Sequence, residues 1–194
     1  EDALENNIKI VKNAEYCLVY DRPISPSNLS IDELKDWWKE KSTEQMYGRL
    51  LESMEPNSIE LMFFNTYYKE IVKTNHSLPA LLPQVYLHYD PKTIKELLGE
   101  KRLIHQRMDF LMLINGNRIV IELDGVQHYS EVGKPSPKKY AELAQYDRKM
   151  KLLGYDVYRF GGYEFTENNV EFVIKDFFLK LLAKYSAPLI TQNS

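Results

Sequence analysis

Apolar and polar positions alternate through two consecutive runs, Arg107 to Ile114 and Asn117 to Asp124, with Asn115-Gly116 between them. Asn-Gly flanked by alternating apolar residues is the strongest local signal for a β-hairpin, because the tight turn needs positive φ at both loop positions. A two-residue loop sets Asp109 opposite Glu122 and Arg107 opposite Asp124. One face then reads Met108, Phe110, Met112 and Ile114 against Ile119, Ile121 and Leu123, wholly apolar. Glu122 and Asp124 share the other face, so three carboxylates converge on a strand pair that should be buried.

The flanking pattern predicts helices on either side. Ser30 to Glu33 is a capping box, followed by Leu34, Trp37 and Trp38 at helical spacing. After a break near Lys41, Ser42-Thr43-Glu44-Gln45 starts a second helix with Met46, Tyr47, Leu50, Leu51 and Met54. A third is expected over 59–73, burying Leu61, Phe64, Tyr68 and Ile71. Gln84 to His88 reads as a first strand, and 92–98 as a short helix ended by Gly99. A helix over 138–153, with Tyr140, Leu143, Tyr146, Met150 and Leu153 as its apolar side, leads through Gly154 to a strand over 155–160. That strand should return parallel to the hairpin. Gly161-Gly162 ends it, and a helix over 170–184 closes the chain. The expected class is α/β, with a mixed sheet of about four strands flanked by helices and the hairpin at its centre.

Composition narrows this picture. The 194 residues suit one domain, or a domain with a helical extension. The single Cys17 rules out an internal disulfide framework and fits a reducing cytoplasm. No apolar run approaches the ~20 residues of a membrane helix. The chain begins at Glu1, as expected of a piece of a longer protein. Residues Asp21 to Ser27 read as a connector. A formal charge of −3 does not advertise nucleic-acid binding, but Lys134, Lys138, Lys139, Arg148, Lys149, Lys151 and Arg159 form a basic strip beside the acids. Such a strip also fits a solvated helix face. The four histidines and Cys17 lack zinc-site spacing, and no phosphate loop or serine elbow is present.

Carboxylates packed this closely repel and raise one another's pKa. A hard divalent cation such as Mg²⁺, with Mn²⁺ as substitute, relieves the repulsion through oxygen ligands. The competing reading pairs Asp124 with Arg107 across the strands, leaving Asp109 and Glu122 as strand ends.

Asp109 followed by Glu122-Leu123-Asp124-Gly125-Val126-Gln127-His128 resembles the PD-(D/E)XK nuclease superfamily, in particular the branch related to very-short-patch-repair endonucleases. Together with Pro83 to Pro91 and Gly154 to Phe160, it is also similar to C-terminal nuclease domains of bacterial phage-defence proteins of the abortive-infection type. The resemblance implies a restriction-endonuclease-like nuclease domain over 57–194, preceded by a connector and helical extension over 1–56. It implies a metal-dependent endonuclease acting on nucleic acid, expected to be DNA, in the cytoplasm, attached to or associated with a regulatory or sensor domain. Asp109 and Glu122 would hold the metal. Glu60 would complete the shell, although it equally suits the first turn of a helix as a partner of the helix dipole. Asp124 stands where the superfamily usually has lysine, so Gln127 or His128 would orient water. Lys138, Lys139, Arg148 and Lys151 would meet phosphates. The alternative is a non-catalytic module of the same fold that binds nucleic acid or a partner protein.

Overall fold

The predicted hairpin is the centre of a four-stranded sheet of order β1-β2-β3-β6. The computed structural model describes residues 18, 20–23, 28–54, 56, 58–86, 107–125, 130–131, 134–165 and 169–186. The strands are β1 (Leu82–Tyr86), β2 (Arg107–Ile114), β3 (Asn117–Asp124), the two-residue pair β4 (Ser130–Glu131) and β5 (Lys134–Pro135), and β6 (Tyr155–Gly161). The helices are α1 (Ile31–Lys39), α2 (Met46–Leu51), α3 (Ile59–Thr66), α4 (Pro137–Leu152) and α5 (Val170–Ser186). Strand β2 is antiparallel to both β1 and β3, while β6 pairs with β3 in parallel, placing α4 in the connection. The short helix expected over 92–98 falls outside the described residues.

Turn chemistry explains the hairpin. Asn115 and Gly116 have φ of +46° and +78°, the positive values a two-residue loop requires. The register is the expected one, from Phe110↔Ile121 to Ile114↔Asn117. The turn is anchored from outside: the Asn115 amide donates to Asn28 Oδ1 at 2.7 Å, and its side-chain Nδ2 donates to the Tyr185 carbonyl at 2.6 Å. One loop thus joins the segment before α1 to the end of α5.

On one face of the sheet, Phe110, Met112, Ile114, Ile119, Ile121 and Leu123 form a single core with α1, α2, α3 and α5. Phe63 of α3 lies in its middle, fully buried, with ring centroids of Phe110, Phe160 and Phe178 at 5.7, 5.4 and 5.0 Å. Removing such a ring costs roughly 3–5 kcal/mol. Trp37 and Trp38 are buried in this core as well, so the described part of the predicted extension packs directly on the sheet domain. On the other face a smaller cluster of Met108, Val120, Tyr146 and Met150 seats α4.

Several local expectations are corrected. The capping box at Ser30 forms as read, with the Ser30 amide donating to Glu33 Oε2 at 2.7 Å, but α2 starts after Gln45 rather than at Ser42. The helix over 59–73 is α-helical only to Thr66 and continues as a π-helical turn, Tyr67–Val72. There the Tyr67 and Tyr68 hydroxyls donate to the carbonyls of Pro79 and Leu81 at 2.6 and 3.2 Å. Strand β1 begins earlier than expected, and His88 lies outside the described residues. Tyr140 in α4 and Leu153 just after it are exposed rather than part of the apolar side, because the face is set by where Tyr146 and Met150 meet the sheet. Met108 also leaves its predicted face and packs with the α4 cluster.

Candidate acidic site

The change of face at Met108 coincides with two departures from regular strand geometry. The Asp109 carboxylate takes a ladder hydrogen bond: the Leu123 amide donates to Asp109 Oδ2 at 2.8 Å. Between the paired positions Pro83↔Phe110 and Val85↔Met108, Gln84 of β1 has φ of +56°. That left-handed value is costly for a residue with a Cβ. Its buried Oε1 has no hydrogen-bond partner among the described residues. Strained backbone and an unsatisfied buried oxygen therefore lie one strand away from Asp109.

Glu122 is a buried carboxyl, only 7% exposed. Burial and then the nearby charge of Asp109 push its carboxyl up to about 8. The cation of Arg159 and a hydrogen bond from Tyr146 oppose this, and Asp124 adds to it. The Tyr146 hydroxyl, brought by α4, donates to Glu122 Oε1 at 3.0 Å. The charge of Asp109 thus acts on Glu122, one step beyond the last paired positions of the hairpin, Phe110↔Ile121.

Asp124 is held by Arg159, while the expected partner, Arg107, has its side chain outside the described residues. Arg159 Nη1 donates to both of its oxygens, at 2.7 and 3.0 Å, and Nη2 donates to Asp147 Oδ1 at 2.7 Å. Parallel pairing puts Arg159 beside Glu122 in the sheet, and its guanidinium lies 5.7 Å from the centroid of the Tyr146 ring. Burial works against the charge of Arg159, but the carboxylates of Asp147 and Asp124 outweigh it and shift its pKa upward. The Arg107 side chain lies outside the described residues, as do Gln127 and His128.

Arg159 and Tyr146 are the site residues that sequence reasoning missed. Arg159 was counted in the basic strip, and Tyr146 as apolar filling. The available signal was the register of a parallel strand, which sets Arg159 directly beside Glu122. Other cations of the strip are spread along α4. Lys138 and Lys151 are exposed near opposite ends of α4, about 20 Å apart at 1.5 Å per residue. Arg148 is exposed and Lys139 is half-buried. Glu60 occupies the first turn of α3, capped by Ser58, one turn before Phe63. That places it on the sheet face opposite α4, and its charge is not among those acting on Glu122.

The donor set bears on a metal. Among the described residues no three Asp, Glu, His or Cys side chains gather as a metal shell. Asp109 and Glu122 supply two carboxylates, which suffices for Mg²⁺ when phosphate and water complete its coordination. Both oxygens of Asp124 are bound by Arg159, so Asp124 does not fit as a third ligand. Comparison of the chain with protein-family models, with curated proteins and with solved structures found no match.

Proposed function

We propose that this protein is a divalent-metal-dependent nuclease of restriction-endonuclease-like fold that hydrolyses phosphodiester bonds, with DNA as the expected substrate. A role in bacterial antiviral defence rests on the sequence resemblance alone. The observation that carries the reading is the pairing of Asp109 with Glu122. A buried carboxylate held beside another, with its pKa pushed up to about 8, is a costly arrangement that a cation would relieve.

Asp109 and Glu122 would hold Mg²⁺ or Mn²⁺, which when bound polarises a phosphate and lowers the pKa of its water. Tyr146 orients Glu122 through its hydroxyl. Arg159 neutralises Asp124 and ties β3 to α4, leaving Asp109 and Glu122 as the ligands. Gln127 and His128, which follow β3 in sequence, remain the proposed groups for orienting water, and Lys138 and Arg148 for meeting phosphates.

Calorimetric titration with Mn²⁺ tests this reading. Heat in the wild type that disappears in Asp109→Asn, together with Mn²⁺-dependent cleavage of plasmid, single strands or RNA, supports it. No Mn²⁺ binding by the wild type overturns it. A second reading, a non-catalytic binding module, is favoured by the Asp124–Arg159–Asp147 bridge, which fills the usual lysine position with an ion-paired carboxylate. It requires nucleic-acid or partner binding that is indifferent to Mn²⁺.

A further inference from the structure

Three aromatic rings are largely exposed among the described residues: Tyr140 at 70%, Tyr163 at 89% and Phe172 at 72%. The topology brings all three to one end of the sheet. Gly161, the last residue of β6, pairs with Asp124. A 3₁₀ turn, Gly162–Glu164, follows at once and carries Tyr163. A Cβ at Gly162 would lie 3.5 Å from the Asp124 carbonyl oxygen, so this turn rests against the end of the acidic strand.

Helix α4 runs back along β6. Met150 packs in the cluster that includes Val157, and Asp147 bonds to Arg159, so Tyr140, nearly two turns further toward the helix start, lies at the acidic end. Helix α5 does the same on the other face. The Tyr185 hydroxyl donates to Asp156 near the start of β6, and Phe177 packs edge-on against Phe160. Phe172 therefore also belongs to the acidic end, and exposed Lys138 sits in the first turn of α4.

The turn bearing Tyr163 is clamped. The Gly161 amide donates to Glu164 Oε1 at 2.8 Å, and Phe165 packs on Phe160 at 5.6 Å. A ring that protrudes from a fixed turn contributes little to the core but offers a flat, preorganised face.

We propose that this rim of exposed rings, Tyr163 and Tyr140 foremost, stacks the unpaired bases of a single-stranded nucleic acid whose backbone passes the Asp109–Glu122 pair. The proposal rests on the nuclease reading and specifies its substrate class. A duplex hides the faces of its bases, whereas a single strand presents them to aromatic side chains, with lysine meeting the phosphates.

The test is fluorescence anisotropy in EDTA at low salt, using fluorescein-labelled oligodeoxyuridylate, oligouridylate and a duplex of equal length. The single strands bind more tightly than the duplex, and whichever of the two binds better identifies the sugar. Tyr163→Ala weakens single-strand binding roughly tenfold, the scale of one base stacked on one ring, without changing Tm. Tyr163→Trp retains binding, and its emission changes when the strand is added. Equal affinity for duplex, with Tyr163→Ala and Tyr140→Ala both neutral, overturns the proposal even if Mn²⁺-dependent cleavage persists, as does a failure to bind any oligonucleotide. Stacking without Mn²⁺ binding or cleavage would instead remove the nuclease reading and leave the rim as a binding surface.

Discussion

Arg159 Nη1 grips both oxygens of Asp124 while its Nη2 holds Asp147, so one guanidinium from β6 joins β3 to α4. This bridge sets the charge balance at the acidic end of the sheet. It occupies both oxygens of Asp124, one of the three hairpin carboxylates.

The first prediction concerns that bridge. Asp124 is 6% exposed and Arg159 19%, so removing one partner strands the other in a poorly solvated place. Asp124→Asn should cost roughly 3 kcal/mol in urea unfolding. Arg159→Gln should cost at least as much, since it leaves Asp124, Asp147 and Glu122 without their cation. The double variant should lose less than the sum. Lysine at 159 should not rescue, because it cannot hold two carboxylates with a planar fork. Asp124→Lys should not restore activity either, because it places a second cation beside Arg159.

A second prediction follows from Glu122, whose carboxyl is raised in the folded state to about 8. The folded protein keeps this proton where the unfolded chain has released it, so stability falls as pH rises from about 4.5 to about 8. Glu122→Gln removes that loss. The variant should match the wild type near pH 4.5 and exceed it by several kcal/mol near pH 8. Equal stability of the two proteins at pH 8 would refute the assigned environment. On the nuclease reading, Mn²⁺ should raise the Tm of the wild type near pH 8 but not that of the variant.

Phosphate contacts can be counted from salt dependence. Each contact contributes about 0.7–0.9 to the slope of log K against log salt. On the nuclease reading, Lys138→Gln and Arg148→Gln should each reduce the slope by about that amount. Lys151→Gln, at the far end of α4, should leave it unchanged. An altered slope for Lys151→Gln alone would mean that the strand runs along the other end of the helix.

The hairpin turn provides a stability test independent of function. Asn115→Ala keeps a positive φ with a residue that tolerates it poorly and removes the bond to the Tyr185 carbonyl. A loss of about 1–3 kcal/mol in chemical denaturation is expected. Asn115→Gly, which removes the strain but not the lost bond, should lose less.

What the chain determines by local chemistry was legible before any coordinates. Asn115-Gly116 dictates a two-residue turn because few other residues adopt positive φ twice. Once the turn is set, strand period alone brings Asp109 to Glu122. The Ser30 cap, the stop at Gly154 and the break at Gly161-Gly162 follow from equally local rules. Tertiary packing decided the rest. That Asp124 meets Arg159 depends on the register of β6, a parallel strand joined through a helix, for which no turn constrains the alignment. Tyr146 became a donor to Glu122 only when α4 settled on Met108 and Val120, since a helix pattern shows which face is apolar but not what lies beneath it. Glu60 fell on the opposite face because burying Phe63 among Phe110, Phe160 and Phe178 outweighs any preference of a half-buried first-turn carboxylate. Long-range charge partners depend on how separate elements pack, and that packing is set by the summed apolar contacts of the whole chain.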